Sequence, residues 1–286
     1  MKGVIPAAGL GARFLPLTKE QPKEMLPVVD RPVIHWVVGE AIAAGVTDLL
    51  IITGREKRAI EDYFDGSLRW NRYAKTNGDS LLREIEEFTS KASFHFVRQK
   101  DPKGLGDAIL QAEKHVGSEP FLVILGDTIH VSKIPVARQL WDVHQRLQHP
   151  VIAVERVRTE KIPDYGIVRV DGWLDERILR VGDLVEKPEP EEAPSDVGIS
   201  GSYVLTPAVF DAIRSTPPGS GGEIQLTDAL RILLESEPIY GYKFEGRRFD
   251  IGTKMDWFRA HVELTLMNEE YRATALEFLK GLVRDG

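Results

Sequence analysis

Residues 1–16 read MKGVIPAAGLGARFLP, and residues 21–30 read QPKEMLPVVD. The first stretch predicts a short apolar strand, Lys2–Pro6, that runs directly into a loop of small residues. Such a loop presents bare backbone N–H groups, and Arg13 and Lys23 add cationic side chains close by. This combination is typical of a phosphate-binding site. A glycine-rich turn with two solvated cations is the simpler alternative, because glycines also mark ordinary turns.

Two common phosphate-binding motifs do not fit this loop. The dinucleotide fingerprint needs a glycine three residues after Gly11, where this chain has Phe14. A P-loop ends in Gly-Lys-Ser or Gly-Lys-Thr, which occurs nowhere in the chain. The loop therefore predicts phosphate binding of another kind.

The composition limits the expected partners. Of 286 residues, 42% are apolar, and the net charge is −7 with no basic block long enough to follow a nucleic-acid backbone. Cysteine is absent and the seven histidines contain no His-x-x-x-His pair, so we expect neither a disulfide nor a zinc site. No apolar run is long enough for a membrane span, and the N-terminus lacks the features of a signal peptide. We therefore expect a cytoplasmic protein whose partners include neither nucleic acid nor membrane.

The order of apolar and helical segments predicts the fold class. In the first half of the chain, strand-like runs alternate with segments of helical spacing. Strands are predicted at Lys2–Pro6, Asp48–Thr53, Phe94–Arg98 and Phe121–Leu125, and helices at Val33–Ala44, Lys57–Phe64, Leu81–Phe88 and Leu105–Val116. This alternation favours a parallel sheet covered by helices on both faces.

After Pro150 the predicted strands follow one another more closely, and this half is expected to add a mixed or antiparallel part to the same sheet. These strands are Val151–Val157, Ile167–Val170, Leu179–Val185 and Ile199–Leu205, with turns at Asp171-Gly172 and Gly182-Asp183. We therefore predict an α/β protein with one Rossmann-like domain, whose central sheet is mixed, mostly parallel and flanked by helices. A last helix, from about Lys254 to Leu282, carries more apolar residues than one core-facing side requires.

Two aspartates are candidate metal ligands. Asp127 follows the apolar run Phe121–Leu125 and a glycine, and ligands of an open parallel sheet bind beyond the carboxyl ends of its strands. Asp250 stands in a similar aromatic-Asp-x-Gly context. Mg²⁺ in proteins is commonly held by one or two carboxylates. Both aspartates could equally cap a helix or a turn.

Several other residues are candidates for binding. Lys187, in Glu186-Lys187-Pro188, ends a predicted strand where its ammonium could meet a phosphate, although lysine in such a turn is often merely exposed. Gln99 offers both a donor and an acceptor, which suits the imide edge of uracil or thymine, and Gly104 before a helix lets a base lie against backbone.

The loop and the segment after it resemble the signature of the bacterial UTP–glucose-1-phosphate uridylyltransferases, also called UDP-glucose pyrophosphorylases. In that family Ala-Ala-Gly-Leu-Gly-Thr-Arg-Phe-Leu-Pro precedes Pro-Lys-Glu-Met-Leu-Pro, and the resemblance extends from about residue 2 to about residue 266. The chain departs from the family at four positions: Ala12 replaces threonine, Asp107 histidine, Ser202 arginine, and Thr253 asparagine or aspartate. These departures bear on the preference for particular nucleotides and sugars.

The resemblance implies a nucleotidyltransferase fold and a role for each matching residue. It places Mg²⁺ on Asp127 and Asp250, the sugar hydroxyls on Glu186, the sugar phosphate on Lys187, and the base on Gln99. The implied catalytic residues are Arg13, Lys23, Asp127 and Lys187; the nucleotide-binding residues are Ala7, Ala8, Gly9, Gly11, Glu24, Gln99 and Gly104; the sugar-phosphate-binding residues are Gly166, Glu186, Lys187 and Gly201.

The implied activity is transfer of UMP from UTP to glucose 1-phosphate, giving UDP-glucose and pyrophosphate. A glucose-1-phosphate thymidylyltransferase using dTTP is the nearest alternative, although those relatives usually carry Ala-Gly-Gly-Ser-Gly-Thr-Arg at the loop. A non-catalytic homologue that binds sugar nucleotides is another alternative, but it would be expected to lack Asp127, Asp250 or Lys187.

The resemblance also suggests how the chain is organised. Residues 1–253 are expected to form the catalytic domain, with a nucleotide-binding half at about 1–130 and a sugar-phosphate half at about 131–253. Residues 254–286 are expected to form a C-terminal helical segment that contacts another copy in a homo-oligomer, a dimer or a tetramer.

Overall fold

The computed structural model describes residues 1–65, 73, 76 and 80–284. Its strands are β1 (Lys2–Ala7), β2 (Pro27–Val28), β3 (Arg31–Pro32), β4 (Asp48–Thr53), β5 (Ser93–Arg98), β6 (Phe121–Ile124), β7 (Thr128–Val131), β8 (Val151–Arg156), β9 (Gly166–Trp173), β10 (Ile178–Glu186), β11 (Val197–Leu205), β12 (Tyr240–Lys243) and β13 (Arg247–Asp250). Its α-helices are α1 (Val33–Ala44), α2 (Arg58–Phe64), α3 (Ser80–Lys91), α4 (Leu105–Leu110), α5 (Glu113–Val116), α6 (Val136–Leu147), α7 (Ala208–Ser215), α8 (Leu226–Leu233), α9 (Lys254–Met267) and α10 (Arg272–Arg284).

Nine of these strands form one sheet in the order β5-β4-β1-β6-β11-β8-β12-β10-β9. Strands β5, β4, β1 and β6 are mutually parallel, and β8, β12 and β9 run in the same direction as they do. Only β11 and β10 run against the others within this sheet. The predicted α/β class, with a mixed and mostly parallel sheet, is confirmed.

Side chains of the central strands alternate between two cores, one on each face of the sheet. In β1, Ile5 packs on one face and Val4 on the other, and in β4 Leu49 and Leu50 divide in the same way. Helices α1 and α6 contribute to the first core, and α4, α7 and α8 to the second. Because both faces are covered, the exposed parts of these strands are their ends.

The predicted turns at Asp171-Gly172 and Gly182-Asp183 are wrong. Both dipeptides lie inside strands, β9 and β10, and the chain reverses at residues 174–177 instead. The pairing of β9 with β10 shifts between Val181 and Asp183, so Gly182 lies at a β-bulge. Glycine is common at β-bulges as well as in turns, which explains the wrong prediction.

Two predicted helices are each divided in two. The segment Leu105–Val116 forms α4 and α5, because the N–H groups of Gln111 and Ala112 bond three residues back rather than four. The C-terminal segment forms α9 and α10, and Asn268 between them accepts bonds at Oδ1 from the N–H groups of Glu270 and Tyr271. None of the helices in the described ranges combines the length and the apolar character needed to cross a bilayer.

Candidate active site

A cavity of about 560 Å³ opens where β1, β6 and β10 end. The predicted site residues that line it are Ala8, Gly9, Gly11, Arg13, Lys23, Glu24, Gln99, Gly104, Asp127, Gly166, Glu186, Lys187, Gly201 and Asp250. Ala7 does not line it, because this last residue of β1 packs its side chain in the core. The carboxyl ends of the parallel strands β1 and β6 and the end of the antiparallel strand β10 therefore bring together residues from distant parts of the chain.

The loop after β1 is held in place at Gly11. Gly11 has a left-handed φ of 66°, and the Thr18 hydroxyl donates to the Gly11 carbonyl oxygen at 2.7 Å. Phe14, which stands where a dinucleotide fingerprint requires glycine, is buried in the core and ends a short turn that begins at Ala12. Arg13 next to it stays largely exposed, with its guanidinium 3.9 Å from Asp164. The loop can thus offer both backbone N–H groups and a cation to a phosphate.

Asp127 and Asp250 are brought together by a two-stranded ladder. Strand β7 pairs with β13, so that Asp250 lies opposite Thr128, and the Ile251 N–H donates to the Asp127 carbonyl oxygen at 2.9 Å. The Tyr165 hydroxyl donates to Asp250 Oδ2 at 3.0 Å. Two carboxylates that are distant in sequence therefore face the same cavity.

The electrostatics of this pair favour a bound cation. Burial raises the pKa of Asp250, and the neighbouring Asp127 carboxylate raises it further. Burial also acts on Asp127, but the ion pair with the Lys23 ammonium outweighs it and lowers the pKa. For Lys23, burial alone would lower the pKa, yet the carboxylates of Asp127 and Glu24 hold it above its ordinary value. Lys23 is therefore cationic at neutral pH.

Glu186 and Lys187 occupy another part of the cavity wall. The Lys187 ammonium lies 3.1 Å from Glu186 Oε1, and the lysine side chain is about half exposed. Glu186 Oε2 accepts a hydrogen bond of 2.6 Å from the Thr227 hydroxyl at the start of α8. A Cβ on Gly166 would lie only 2.7 Å from that hydroxyl oxygen, so glycine is needed there for this contact.

Gln99 is almost fully buried beside Gly104. Its Nε2 donates to the Gly104 carbonyl oxygen at 3.1 Å and to Asp107 Oδ2 at 2.7 Å. Both neighbours are acceptors, so the amide nitrogen must face them and the carbonyl oxygen Oε1 is left for a ligand. Gly104 has a φ of 101°, and a Cβ there would lie 2.6 Å from the Ile224 carbonyl oxygen.

The Glu24 carboxylate is already paired with another residue of the protein. It lines the cavity, but its buried carboxylate forms a 2.8 Å ion pair with Lys57. Burial raises the pKa of Glu24, and Lys57 and Lys23 oppose that rise. Within the protein, this ion pair holds the segment that carries Lys23, and the nucleotide-binding role implied for Glu24 stays a prediction.

Comparison with known proteins agrees with this geometry. The nucleotidyl transferase family matches residues 2–266 of the chain. The chain belongs to that family. It is 48% identical over 284 residues to the UTP–glucose-1-phosphate uridylyltransferase YngB of Bacillus subtilis, covering 99% of this chain and 95% of the relative.

Solved structures of this family are also similar to the present nucleotidyl transferase. A UDP-glucose pyrophosphorylase complexed with UDP-glucose superposes with a TM-score of 0.87 at 42% identity, covering 93% of this chain and 99% of the other. A UTP-bound UGPase from Acinetobacter baumannii gives a TM-score of 0.87 at 34% identity, covering 99% and 98% of the two chains.

One arginine of the cavity wall in this nucleotidyl transferase was not predicted from the sequence. Arg248 lines the cavity, pairs with Glu155 at 2.5 Å, and stacks its guanidinium 4.4 Å from the centre of the Tyr165 ring. Burial lowers the pKa of Arg248, but Glu155 and Asp250 outweigh it and raise the value. Because β13 is a strand, Arg248 shares a face with Asp250 two residues later. The two-residue spacing of Arg248 and Asp250 was the sequence signal that could have identified Arg248.

A second omission is the segment before and at the start of α8. Glu223, Gln225, Leu226 and Thr227 all line the cavity, and α8 begins at Leu226. The Ile224 carbonyl oxygen accepts from the Gly106 N–H at 2.8 Å, and the Ile224 N–H donates to the Lys103 carbonyl oxygen at 2.7 Å. These contacts join the part of the wall around Gly104 to the segment that leads into α8. No local sequence pattern predicts them.

Proposed function

We propose that this chain transfers UMP from UTP to glucose 1-phosphate, forming UDP-glucose and releasing pyrophosphate. The observation that carries the proposal is one cavity that holds a paired-aspartate site together with two separate cations, Lys23 beside Asp127 and Lys187 beside Glu186. A reaction between two phosphate-bearing substrates needs such an arrangement, since both must be bound without mutual repulsion.

The chemistry requires positioning and charge neutralisation. A phosphate oxygen of glucose 1-phosphate attacks the α-phosphorus of UTP in line, and a new O–P bond forms as the bond to the β-phosphate oxygen breaks. Pyrophosphate leaves with the bonding electrons. No general base is needed, because the sugar phosphate is already an anion at neutral pH.

The chain's own residues divide this work. Lys187 holds the attacking phosphate, and Glu186, fixed by Thr227, is placed for the sugar hydroxyls. Arg13 and the backbone of residues 8–11 bind the triphosphate. Lys23, whose pKa is held high by Asp127 and Glu24, opposes the negative charge that gathers on the departing pyrophosphate.

We assign Asp127 and Asp250 as ligands of Mg²⁺. Two partly buried carboxylates that face one cavity, one with its pKa raised by burial and by the other, fit a hard divalent cation and its oxygen ligands. When bound, Mg²⁺ supplies charge neutralisation for the reacting phosphates.

Gln99 accounts for the choice of base. With Nε2 committed to Gly104 and Asp107, only the carbonyl oxygen of Gln99 is offered to a nucleotide. The N3–H of uracil can donate to that oxygen, whereas N3 of cytosine is itself an acceptor. Thymine has the same imide edge as uracil, so this contact does not separate UTP from dTTP.

A substrate panel tests the proposal. UTP, dTTP, CTP, ATP and GTP are each combined with glucose, galactose and N-acetylglucosamine 1-phosphates, and pyrophosphate release is measured with Mg²⁺, with EDTA, and after Mg²⁺ is restored. We expect UTP with glucose 1-phosphate to be the best pair, and turnover to stop reversibly in EDTA. Faster turnover of dTTP would support the thymidylyltransferase instead. UDP-glucose binding without pyrophosphate release from any pair would indicate a binding protein.

We also propose that the chain is a homo-oligomer that uses α9 and α10. Apolar side chains on both helices are exposed, including Phe258 at 56% and Phe278 at 64%. Exposed apolar surface of this kind commonly marks an interface between copies.

A further inference from the structure

Three side chains of metal-ligand type meet at the end of the sheet opposite the cavity. Asp48 is the first residue of β4, His95 is in β5, and His115 is in α5. Parallel pairing places His95 beside Leu50, which shares a face of β4 with Asp48. Helix α5 packs on that same face, since Val116 shares a core with Leu50.

The distances suit one small ion. Asp48 Oδ1 lies 2.8 Å from His115 Nε2 and 3.5 Å from His95 Nε2, and the three ligand atoms all lie within 4.8 Å of one another. Ligand atoms about 2.0 to 2.2 Å from a tetrahedral zinc ion are roughly 3.3 to 3.6 Å apart. Only small side-chain rotations therefore separate the observed cluster from a coordinating one.

The donor set indicates which metal would bind. Two imidazole nitrogens and one carboxylate oxygen favour Zn²⁺ and similar transition metals, whereas Mg²⁺ prefers oxygen ligands. The cluster is also accessible, because His95 is about half exposed and the other two side chains are partly exposed. Lys2 is the nearby competing charge, but its ammonium is engaged by the carbonyl oxygens of His115 and Val116 at 3.1 and 2.9 Å.

The cluster is separate from the active site. Strand β4 runs from Asp48 to Thr53, roughly 17 Å at about 3.3 Å per residue, and Gln99 of the cavity wall bonds to Thr53 at the far end. The sequence predicts no zinc site, because the chain has neither cysteine nor a His-x-x-x-His pair. These ligands come from three separate segments.

We propose that Asp48, His95 and His115 form a binding site for Zn²⁺, with water completing the coordination. The site goes beyond the proposed transferase activity and does not depend on it. By linking β4, β5 and α5, a bound ion stabilises the folded state over the unfolded one, in which the three segments are apart.

Calorimetric titration of the full chain with ZnCl₂, in saturating MgCl₂, tests the site. We expect one Zn²⁺ per chain, an affinity at least about 10-fold weaker in His95→Ala and His115→Ala, and a zinc-dependent rise in thermal midpoint that both variants lose. Co²⁺ provides a second probe, because its visible absorption reports nitrogen and oxygen coordination.

Two controls separate this site from other ligands. His149→Ala removes a histidine that also lies near a carboxylate, Glu237 at 3.7 Å, and should leave zinc binding unchanged. Asp127→Asn alters the active site and should also leave it unchanged. Unchanged circular dichroism and pyrophosphate release would show that the His95→Ala protein is folded.

Absence of zinc binding in the wild-type chain would overturn the proposal. So would an equal loss of affinity in His149→Ala and His95→Ala, or loss of the ion in Asp127→Asn alone. None of these results would alter the outcome of the substrate panel, so the two proposals fail independently.

Discussion

Asp107 and the Gly104 carbonyl oxygen together fix which atom of the Gln99 amide faces the cavity. The carboxylate accepts from the Gln99 amide nitrogen at 2.7 Å and thereby turns the carbonyl oxygen toward the cavity. In Asp107→Ala the amide nitrogen keeps only the Gly104 carbonyl oxygen as an acceptor and is held less firmly. We therefore expect the ratio of kcat/KM for UTP to that for CTP to fall about 10-fold, because one oriented hydrogen bond is worth roughly 1 to 2 kcal/mol. The measurement is pyrophosphate release at varied nucleotide concentration.

The KM for glucose 1-phosphate should stay constant in Asp107→Ala, and Gln99→Ala should lower use of UTP in the same way. Glu113→Ala, an exposed carboxylate in the next helix, serves as the matched control. If the UTP-to-CTP ratio is the same in Asp107→Ala and wild type, Asp107 does not orient Gln99.

Asp127 and Lys187 should fail in different ways. Asp127→Asn keeps the shape of the side chain but removes a charge that Lys23 and the proposed Mg²⁺ need. Turnover should therefore fall at least about 100-fold, as expected when roughly 3 kcal/mol of transition-state stabilisation is lost. Binding of glucose 1-phosphate, measured by calorimetry, should change little. Lys187→Ala should weaken that binding while UTP still binds. Wild-type turnover in Asp127→Asn would mean that Asp127 only stabilises a turn and has no part in the reaction.

Residues in recognisable motifs could be predicted from the sequence, and their supports could not. Lys23, Asp127 and Lys187 stand in short segments that match the family's motifs, so the resemblance could identify them. Arg248 and Thr227 act through partners in other segments, Glu155 and Glu186, so their positions depend on tertiary pairing. Glu24 stands in a clear motif, but its ion pair with Lys57 could not be predicted, because the two residues lie far apart in the sequence.

At the scale of elements, Glu40 of α1 caps a helix to which it does not belong. Helix α6 begins after Pro135, which offers no side-chain cap, and Glu40 Oε1 accepts from the Ala137 N–H at 2.9 Å. Burial raises the pKa of Glu40 from 4.5 to about 7, although the backbone bonds from Ala137 and Val136 oppose this.

The raised pKa of Glu40 predicts a pH dependence of stability. The folded chain keeps a proton that the unfolded chain releases, so the stabilisation is complete below pH 4.5 and is lost as the pH rises to about 7. The loss is at most roughly 3 kcal/mol. Glu40→Gln should reduce the fall in unfolding free energy between pH 5 and pH 8, measured with urea.

Glu87→Gln, which alters an exposed carboxylate paired with Lys91 on α3, is the control and should keep the wild-type pH dependence. If the unfolding free energy changes equally with pH in wild type and Glu40→Gln, Glu40 is not protonated in the folded state at pH 5 to 7.

Regular elements were predictable where the apolar pattern is strong and local. The pattern predicts β4 and α1 with their observed ends, because each has a continuous apolar signal. The ladder of β7 with β13 has no such signal. Each of these strands is four residues long, and they pair across the second half of the chain. That ladder nevertheless brings Asp127 and Asp250 together.

At the scale of the whole molecule, the sheet joins the two halves that the sequence suggested. Strand β11 pairs antiparallel with β6, so a strand of the second half is joined directly to the parallel strands of the first. The division at about residue 130 remains a prediction about which substrate each half binds. What the sequence could not show is that both halves contribute to one cavity wall. Gly104 in that wall lies next to Gln99 of the first half and to Ile224 of the second.

The outermost feature of the molecule is α10, which has no buried residue in its described part. A helix of 13 residues is marginal in water unless an apolar face is covered. Its Phe278 and Leu282, one turn apart, are exposed at 64% and 57%, and Met255 and Phe258 of α9 form a similar exposed pair. Trp257 and Leu264 already attach α9 to the core. The exposed residues are therefore available to a second copy.

We expect sedimentation at micromolar concentration to give a multiple of 32.1 kDa for the wild-type chain, and a lower mass for the double variant Phe258→Glu with Phe278→Glu. The charges would have to be buried without partners in the interface, which costs several kcal/mol. Ile134→Glu places the same charge at another exposed apolar residue, 55% exposed, and should leave the mass unchanged. A wild-type monomer at this concentration, or dissociation by Ile134→Glu but not by the double variant, would mean that α9 and α10 do not form the interface.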